Sequence, residues 1–286
     1  MAVVNTNANA TIAQNALARN ERAMNTAMER LSTGNRINGA KDDAAGLAIS
    51  SRMTSQIRGL ETGLRNANDA ISMINTADGA LIEVTNMLQR MRELAIQASN
   101  GTTTAADRDY LSAEYSNLLS EIDRIAENTQ WNGMNILNHT TTASSQFAYT
   151  VGANAGQTVA VNFGDLTNTA SGVFASLTAS HASIAAATTA AAITTATSAV
   201  VALDSAITAV NSQRATYGAA INQLTYAVDN LANVKVNAEA SRSRILDADY
   251  ARETSELART QIIQQAGTAM LAQANQLPQT VLSLLQ

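Results

Sequence analysis

Between Leu203 and Ala238 the apolar positions fall in a strict rhythm: Leu203, Ile207, Val210, Arg214, Tyr217, Ile221, Leu224, Val228, Leu231, Lys235 and Ala238 follow at alternating steps of four and three. A stripe that keeps this spacing drifts little around a helix that supercoils against a partner, so the pattern predicts a heptad seam. A second seam runs through Ile57, Leu60, Leu64, Ala67, Ile71 and Ile74, and resumes at Leu81, Val84, Leu88, Met91, Ala95 and Ala98. The phase slips between Ile74 and Leu81, where Asn75, Asp78 and Gly79 cluster. This predicts a local irregularity inside one long helix rather than two helices.

The two ends of the chain carry thinner, alanine-rich stripes. Val3, Ala10, Leu17, Met24 and Leu31 recur at sevens, and Ile263, Ala266, Met270, Ala274 and Leu277 share one helical face. A narrow stripe makes a helix marginal by itself in water, so the ends are expected to order on association. Between the seams, Leu111, Tyr115, Leu118, Ile122 and Ile125 form one more amphipathic helix with Asp107 at its start. It exits through the polar, glycine-containing run Asn128 to Gly133.

Phe147 to Val151 and Thr158 to Phe163 alternate about Gly152 to Gly156 and predict a β-hairpin. The tract from Asn168 to Val200 is dominated by Ala, Thr and Ser, a composition equally open to helix and loop. The fold class expected is mostly α: a long antiparallel helical bundle or coiled coil made by the N- and C-terminal segments, with a small insert containing the hairpin.

Composition narrows the function. Aromatics make up only 3% of the 286 residues, too few for the usual bulky core of a large globule. Pro278 is the single proline and cysteine is absent, so helices can run long and no thiol chemistry is available. With a net charge of −5, a charged fraction of 14%, and Lys41 and Lys235 as the only lysines, there is no basic, aromatic-interleaved surface for nucleic acid. The start, Met1 to Ala10, lacks the basic and apolar regions of a cleaved secretory signal. The uncharged stretch Leu166 to Leu203 is too rich in Ser, Thr and Ala to insert in a membrane.

No catalytic, cofactor or metal constellation emerges. His139 and His181 are isolated, and the neighbouring carboxylates Asp42 and Asp43, or Asp247 and Asp249, diverge around a helix axis. The chain is read as a non-enzyme without cofactors.

Several ordered motifs resemble bacterial flagellins: Leu31-Ser-Thr-Gly34, Arg36-Ile-Asn38, Lys41-Asp-Asp-Ala-Ala-Gly46 and Gln89-Arg-Met-Arg-Glu-Leu94 at one end. Gln264-Gln-Ala-Gly267, Leu271-Ala-Gln-Ala-Asn275 and Val281-Leu-Ser-Leu-Leu285 match at the other. The resemblance covers residues 1 to 138 and 203 to 286, with a middle short enough that the family's large outer domains are absent. It implies a subunit that polymerises into the flagellar filament, the propeller of motility. The alternative is a hook-filament junction adaptor.

By the same resemblance, residues 1–45 and 241–286 form an inner coiled-coil domain, 46–138 and 203–240 a helical middle domain, and 139–202 a short outer insert. The inner filament seam is then Val3, Ala10, Leu17, Met24, Leu31, Ile263, Met270, Leu277, Leu282, Leu284 and Leu285. The middle seam is Ile57, Leu60, Leu64, Ile71, Ile74, Leu203, Ile207, Val210, Ile221, Leu224, Val228 and Leu231. Partners implied are other copies, a flagellar export chaperone at the C-terminus, the filament cap and hook-filament junction proteins, with no nucleic acid and no membrane insertion. The location implied is extracellular, in the flagellum, reached by the flagellar type III route without a cleaved signal peptide.

Gln89, Arg90, Glu93, Leu94 and Glu114 match the surface that the host's Toll-like receptor 5 reads in this family. Against that stands a plain packing reading, with Leu88 and Met91 as core and Arg90, Arg92 and Glu93 as a polar face. Leu282, Leu284 and Leu285 resemble a tail bound by cytosolic innate sensors, with filament packing as the primary role. By the same resemblance the Ser and Thr between Thr140 and Thr197 are candidates for O-linked sugars, with an unmodified surface as the equal alternative.

Overall fold

A computed structural model describes residues 7–138, 146–166, 174, 177 and 189–283, with backbone only for 189–193 and 277–283. Among the described residues the chain forms α1 (Ala8–Thr33), α2 (Ala44–Ala98), α3 (Ala105–Asn128), β1 (Gln130–Trp131), β2 (Met134–Asn135), β3 (Gln146–Thr150), β4 (Thr158–Asn162), α4 (Thr189–Leu246) and α5 (Tyr250–Ser283). The mostly helical architecture is the one the seams predict. Two compact units divide the chain, one of residues 1–57 with 236–286 and one of residues 58–235.

In the larger unit, α2 and α4 run antiparallel. Arg92 Nε donates to Asp204 Oδ1 at 2.7 Å, and Arg214 Nε donates to Asp78 Oδ1 at 2.7 Å further along the pair. Their seams face one core. Leu81, Val84, Leu88 and Met91 from α2 meet Leu203, Val210, Tyr217 and Leu224 from α4, all nearly sealed from solvent. Tyr115, Leu119 and Ile122 of α3 close the third side, with Leu111, Leu118 and Ile125 half-buried at its edge.

Helix α2 is unbroken through Asn75, Asp78 and Gly79, and the expected slip of phase does not occur. Ala70, Ile74, Ala77 and Leu81 are all buried, so alanines carry the seam across a stretch where large side chains alone lose it. The same small positions correct the predicted seam upstream. Leu64 and Ile71 are only half-buried, whereas Gly63, Ala67 and Ala70 face inward.

The reason is the hairpin. β3 and β4 pair antiparallel from Gln146↔Asn162 to Thr150↔Thr158, as the alternation predicts. The connection between them lies on α2, where a Cβ added to Gly59 would stand 3.1 Å from Ala153 and one added to Gly63 would stand 3.1 Å from the Gly152 nitrogen. Backbone can approach a helix this closely only over glycine. Asn66 Nδ2 then donates to the Thr150 carbonyl at 3.0 Å.

The polar exit after α3 folds into a second, unexpected hairpin, β1–β2, whose turn places Asn132 at φ 50° and Gly133 at φ 77°. Positive φ at both central residues is what an Asn-Gly turn supplies between twisted strands. The Ala/Thr/Ser tract is helical from Thr189 onward, where it extends α4, and Ala196 and Ala199 are buried. No described helix is long and apolar enough to cross a membrane.

Candidate functional site

The smaller unit holds the terminal seams. Helix α1 starts at Asn7, whose Oδ1 accepts from Ala10 N at 3.0 Å, and ends at Gly34 in the left-handed region at φ 70°. There the chain crosses the break between α4 and α5. Asn35 and Asp247 form an antiparallel bridge, Ala248 N donates to Gly34 O at 2.9 Å, and Arg36 Nη2 donates to Ile245 O at 2.7 Å.

The residues of the Lys41 to Gly46 motif have local structural roles. Asp42 Oδ2 accepts from the amides of Asn38 and Gly39, each at 3.2 Å, and Asp43 Oδ1 accepts from Gly46 N at 2.8 Å at the start of α2. Side-chain acceptors thus satisfy amides that a helix start leaves open. Beside this turn lies a cleft lined by acids and by Arg30, Arg36, Arg244 and Arg252. Among the described residues no group of His and acids has metal-binding geometry.

α1 and α5 pair antiparallel along their length. Asn7 Nδ2 donates to Ala274 O at 2.8 Å, Asn20 Nδ2 donates to Thr260 O at 2.7 Å and to Gln264 Oε1 at 3.2 Å, and Arg30 Nη1 meets Glu253 Oε1 at 3.1 Å. The numbers of paired residues fall as they rise on the partner, as two opposed helices require. On α1 the inward positions include Ala10, Leu17, Asn20, Met24, Ala27 and Leu31. On α5 they are Glu253, Leu257, Thr260, Gln264, Gly267, Leu271 and Ala274, again at steps of four and three.

This places the predicted inner-seam residues in two groups. Ala10 is buried and Leu17, Met24 and Leu31 are half-buried toward α5, so the N-terminal stripe is a pairing face. The C-terminal stripe is not. Ile263 is 41% exposed and Met270 66% exposed, because the face of α5 that meets α1 runs to one side of them, through Leu257, Thr260, Gln264, Gly267 and Leu271. Ile262, Ile12 and Met28 are exposed as well, so large apolar side chains on both helices point away from their own pair. Val3, Leu284 and Leu285 lie outside the described residues, as do His139 and His181; for Leu277 and Leu282 only the backbone is described.

In the larger unit, Arg90 joins the predicted receptor-surface residues. Its guanidinium meets Glu93 at 3.0 Å and Glu114 of α3 at 2.9 Å, and these hydrogen bonds, Glu93 first, push its already high pKa further up. Gln89, Arg90, Glu93 and Glu114 are exposed. Leu94 is not part of that surface; at 1% exposure it belongs to the core beneath, one position round the helix from the charged face. Leu88 and Met91 are core, as the packing reading expects.

Sequence comparison agrees with this architecture. Residues 4–142 match the bacterial flagellin N-terminal helical region, and residues 200–285 match the bacterial flagellin C-terminal helical region. A flagellin from Halalkalibacterium halodurans is 45% identical over 91% of each chain. The flagellar filament 33 kDa core protein of Treponema phagedenis is 43% identical over 99% of this chain and 100% of its own. A flagellar hook-associated protein from Vibrio parahaemolyticus shares the fold, with a TM-score of 0.60 over 72% of this chain and all of its own, at 14% identity. With both terminal regions matched and relatives aligned over almost the whole chain, this protein belongs to the bacterial flagellin family.

Proposed function

We propose that this chain is the structural subunit of a flagellar filament, in which many copies associate through the outward faces of their terminal helices. One observation carries the reading: Ile12, Met28, Ile262, Ile263 and Met270 remain exposed after α1 and α5 have paired. Large apolar side chains that a helix pair leaves uncovered, Ile263 and Met270 on one face of α5 among them, call for another surface to cover them. Burying each is worth roughly 1.5 to 3 kcal/mol, so repetition over neighbours supplies what one helix pair lacks.

In this reading residues 1–45 and 241–286 line the filament interior, 46–138 and 203–240 form the surrounding helical layer, and 139–202 faces outward. The subunit acts outside the cell after export through the flagellar type III route. Its C-terminal end is covered by an export chaperone beforehand, and the cap and junction proteins contact the filament's two ends. Its role is mechanical rather than catalytic.

Gln89, Arg90, Glu93 and Glu114 are proposed as the surface offered by free monomer to Toll-like receptor 5. What supports this is the exposed Arg90 network that joins α2 to α3. A reporter-cell assay with purified monomer tests it, and silence at saturating protein removes it.

Seeded polymerisation tests the main proposal. Purified chain added to filament fragments is expected to elongate them, and a double change of Ile263→Asp with Met270→Asp is expected to stop elongation while the core of the larger unit stays folded. A junction adaptor would instead add a layer and stop.

A further inference from the structure

The inward faces of α1 and α5 hold few large apolar side chains. The most enclosed positions on α1 are Ala10, Asn20 and Ala27; on α5 they are Glu253 and Thr260, the latter 1% exposed. Asn20, itself 9% exposed, donates both to the Thr260 carbonyl at 2.7 Å and to the Gln264 side-chain oxygen at 3.2 Å. We infer that Asn20, answered by Gln264, is the specificity-determining contact that fixes the register and the antiparallel partner choice of the terminal helix pair.

The alternatives make the case. If α5 slides by one heptad either way, the position now held by Gln264 is taken by Leu257 or by Leu271. The Asn20 amide then keeps a main-chain carbonyl but loses the Gln264 acceptor for its second N–H, which faces a leucine instead, and a partly buried N–H left unanswered is costly. Hydrophobic heptads alone would leave both slides nearly equivalent, since Ala and Leu recur along each face. A single buried polar residue is a known means of rejecting wrong registers at some cost in stability.

A second contact gives the same alignment. Leu17 packs against Gly267, where an added Cβ would collide with the end of the Leu17 side chain. One heptad away Leu17 meets Thr260 or Ala274, where the end of its side chain has to turn aside, so the glycine adds a small preference for the same register. The pair is therefore selective before it is tight. The contacts lie within one chain, but because the terminal helices are expected to order on association, their register is read in the assembled filament and rests on the proposed function to that extent.

Because the chain has no cysteine, introduced pairs report alignment without background. Ala27→Cys with Leu257→Cys marks the observed register, and Ala27→Cys with Tyr250→Cys marks a one-heptad slide. In filaments of the full-length parent, whose formation is checked by electron microscopy before oxidation, mild oxidation is expected to close only the first pair. In the Asn20→Leu background, and in Gln264→Leu, the first pair is expected to lose most of its cross-linking yield. Undiminished yield in both backgrounds overturns the inference, as does closure of the slid pair, or of neither pair, in the parent. Helical content measured on every variant separates loss of register from loss of fold.

Discussion

Tyr217 donates its hydroxyl to the Phe163 carbonyl at 2.8 Å and sets its ring 5.4 Å from the Phe163 ring, so one α4 side chain ties the end of the hairpin to the helical core by a polar and an aromatic contact at once. Tyr217 is 1% exposed, and removal of its hydroxyl leaves a buried carbonyl unanswered. Tyr217→Phe is expected to destabilise the protein by about 1 to 3 kcal/mol, read as a lower urea midpoint at unchanged slope.

The glycine seat for the hairpin makes a second expectation. Gly63→Leu places a side chain where the Gly152 backbone lies, so the connection from β3 to β4 must lift away from α2. The cost expected is roughly 1 to 3 kcal/mol. Amide exchange should accelerate across residues 146–162 and stay unchanged in α3.

Two buried tyrosines, Tyr115 and Tyr217, and the half-buried Tyr149 set the alkaline limit. Burial pushes Tyr149 up to about 12 and raises Tyr115 and Tyr217 further. The folded chain holds these groups protonated, whereas in the unfolded chain they ionise near pH 10. Stability is thus fully present below about pH 10 and is lost as pH climbs toward the folded values. In a chain with the exposed Tyr110, Tyr226 and Tyr250 replaced by Phe, tyrosinate absorbance should rise together with loss of helical signal; ionisation of the remaining three at an intact helical signal would contradict this.

At the acid end, Asp107 accepts from the Thr104 hydroxyl at 2.6 Å and from its amide at 3.1 Å, the reciprocal box that starts α3. These bonds, with the hydroxyl contributing most, hold its carboxyl below the ordinary range. Its contribution is present above the unfolded value near pH 4 and is lost as pH falls through the lower folded value. Asp107→Asn should flatten the acid dependence of exchange in the first turn of α3.

Much of this architecture is legible in sequence because large apolar residues at heptad spacing mark α2 and α4, and alternation marks β3 and β4. What escapes is carried by small and polar side chains. Ala70 and Ala77 continue a seam that Leu64 and Ile71 only flank. Gly59 and Gly63 receive a backbone that no periodicity announces. The pairing face of α5 mixes Leu257 and Leu271 with Thr260, Gln264 and Gly267, so a search for apolar stripes finds the neighbouring side instead, at Ile263 and Met270. Leu94 enters the expected surface by its match to a family motif, which marks positions but not which way each side chain faces, and at 1% exposure it faces inward.

The exposed apolar side chains of the terminal helices, Ile263 and Met270 among them, are there to be covered by other copies. Elongation of sheared filament seeds by purified chain, followed by light scattering and electron microscopy, tests it most directly. The account predicts growth by the parent chain and arrest by Ile263→Asp with Met270→Asp, with the helical signal of the larger unit retained. Parent chain that remains monomeric on seeds, or a double variant that elongates them normally, would contradict it.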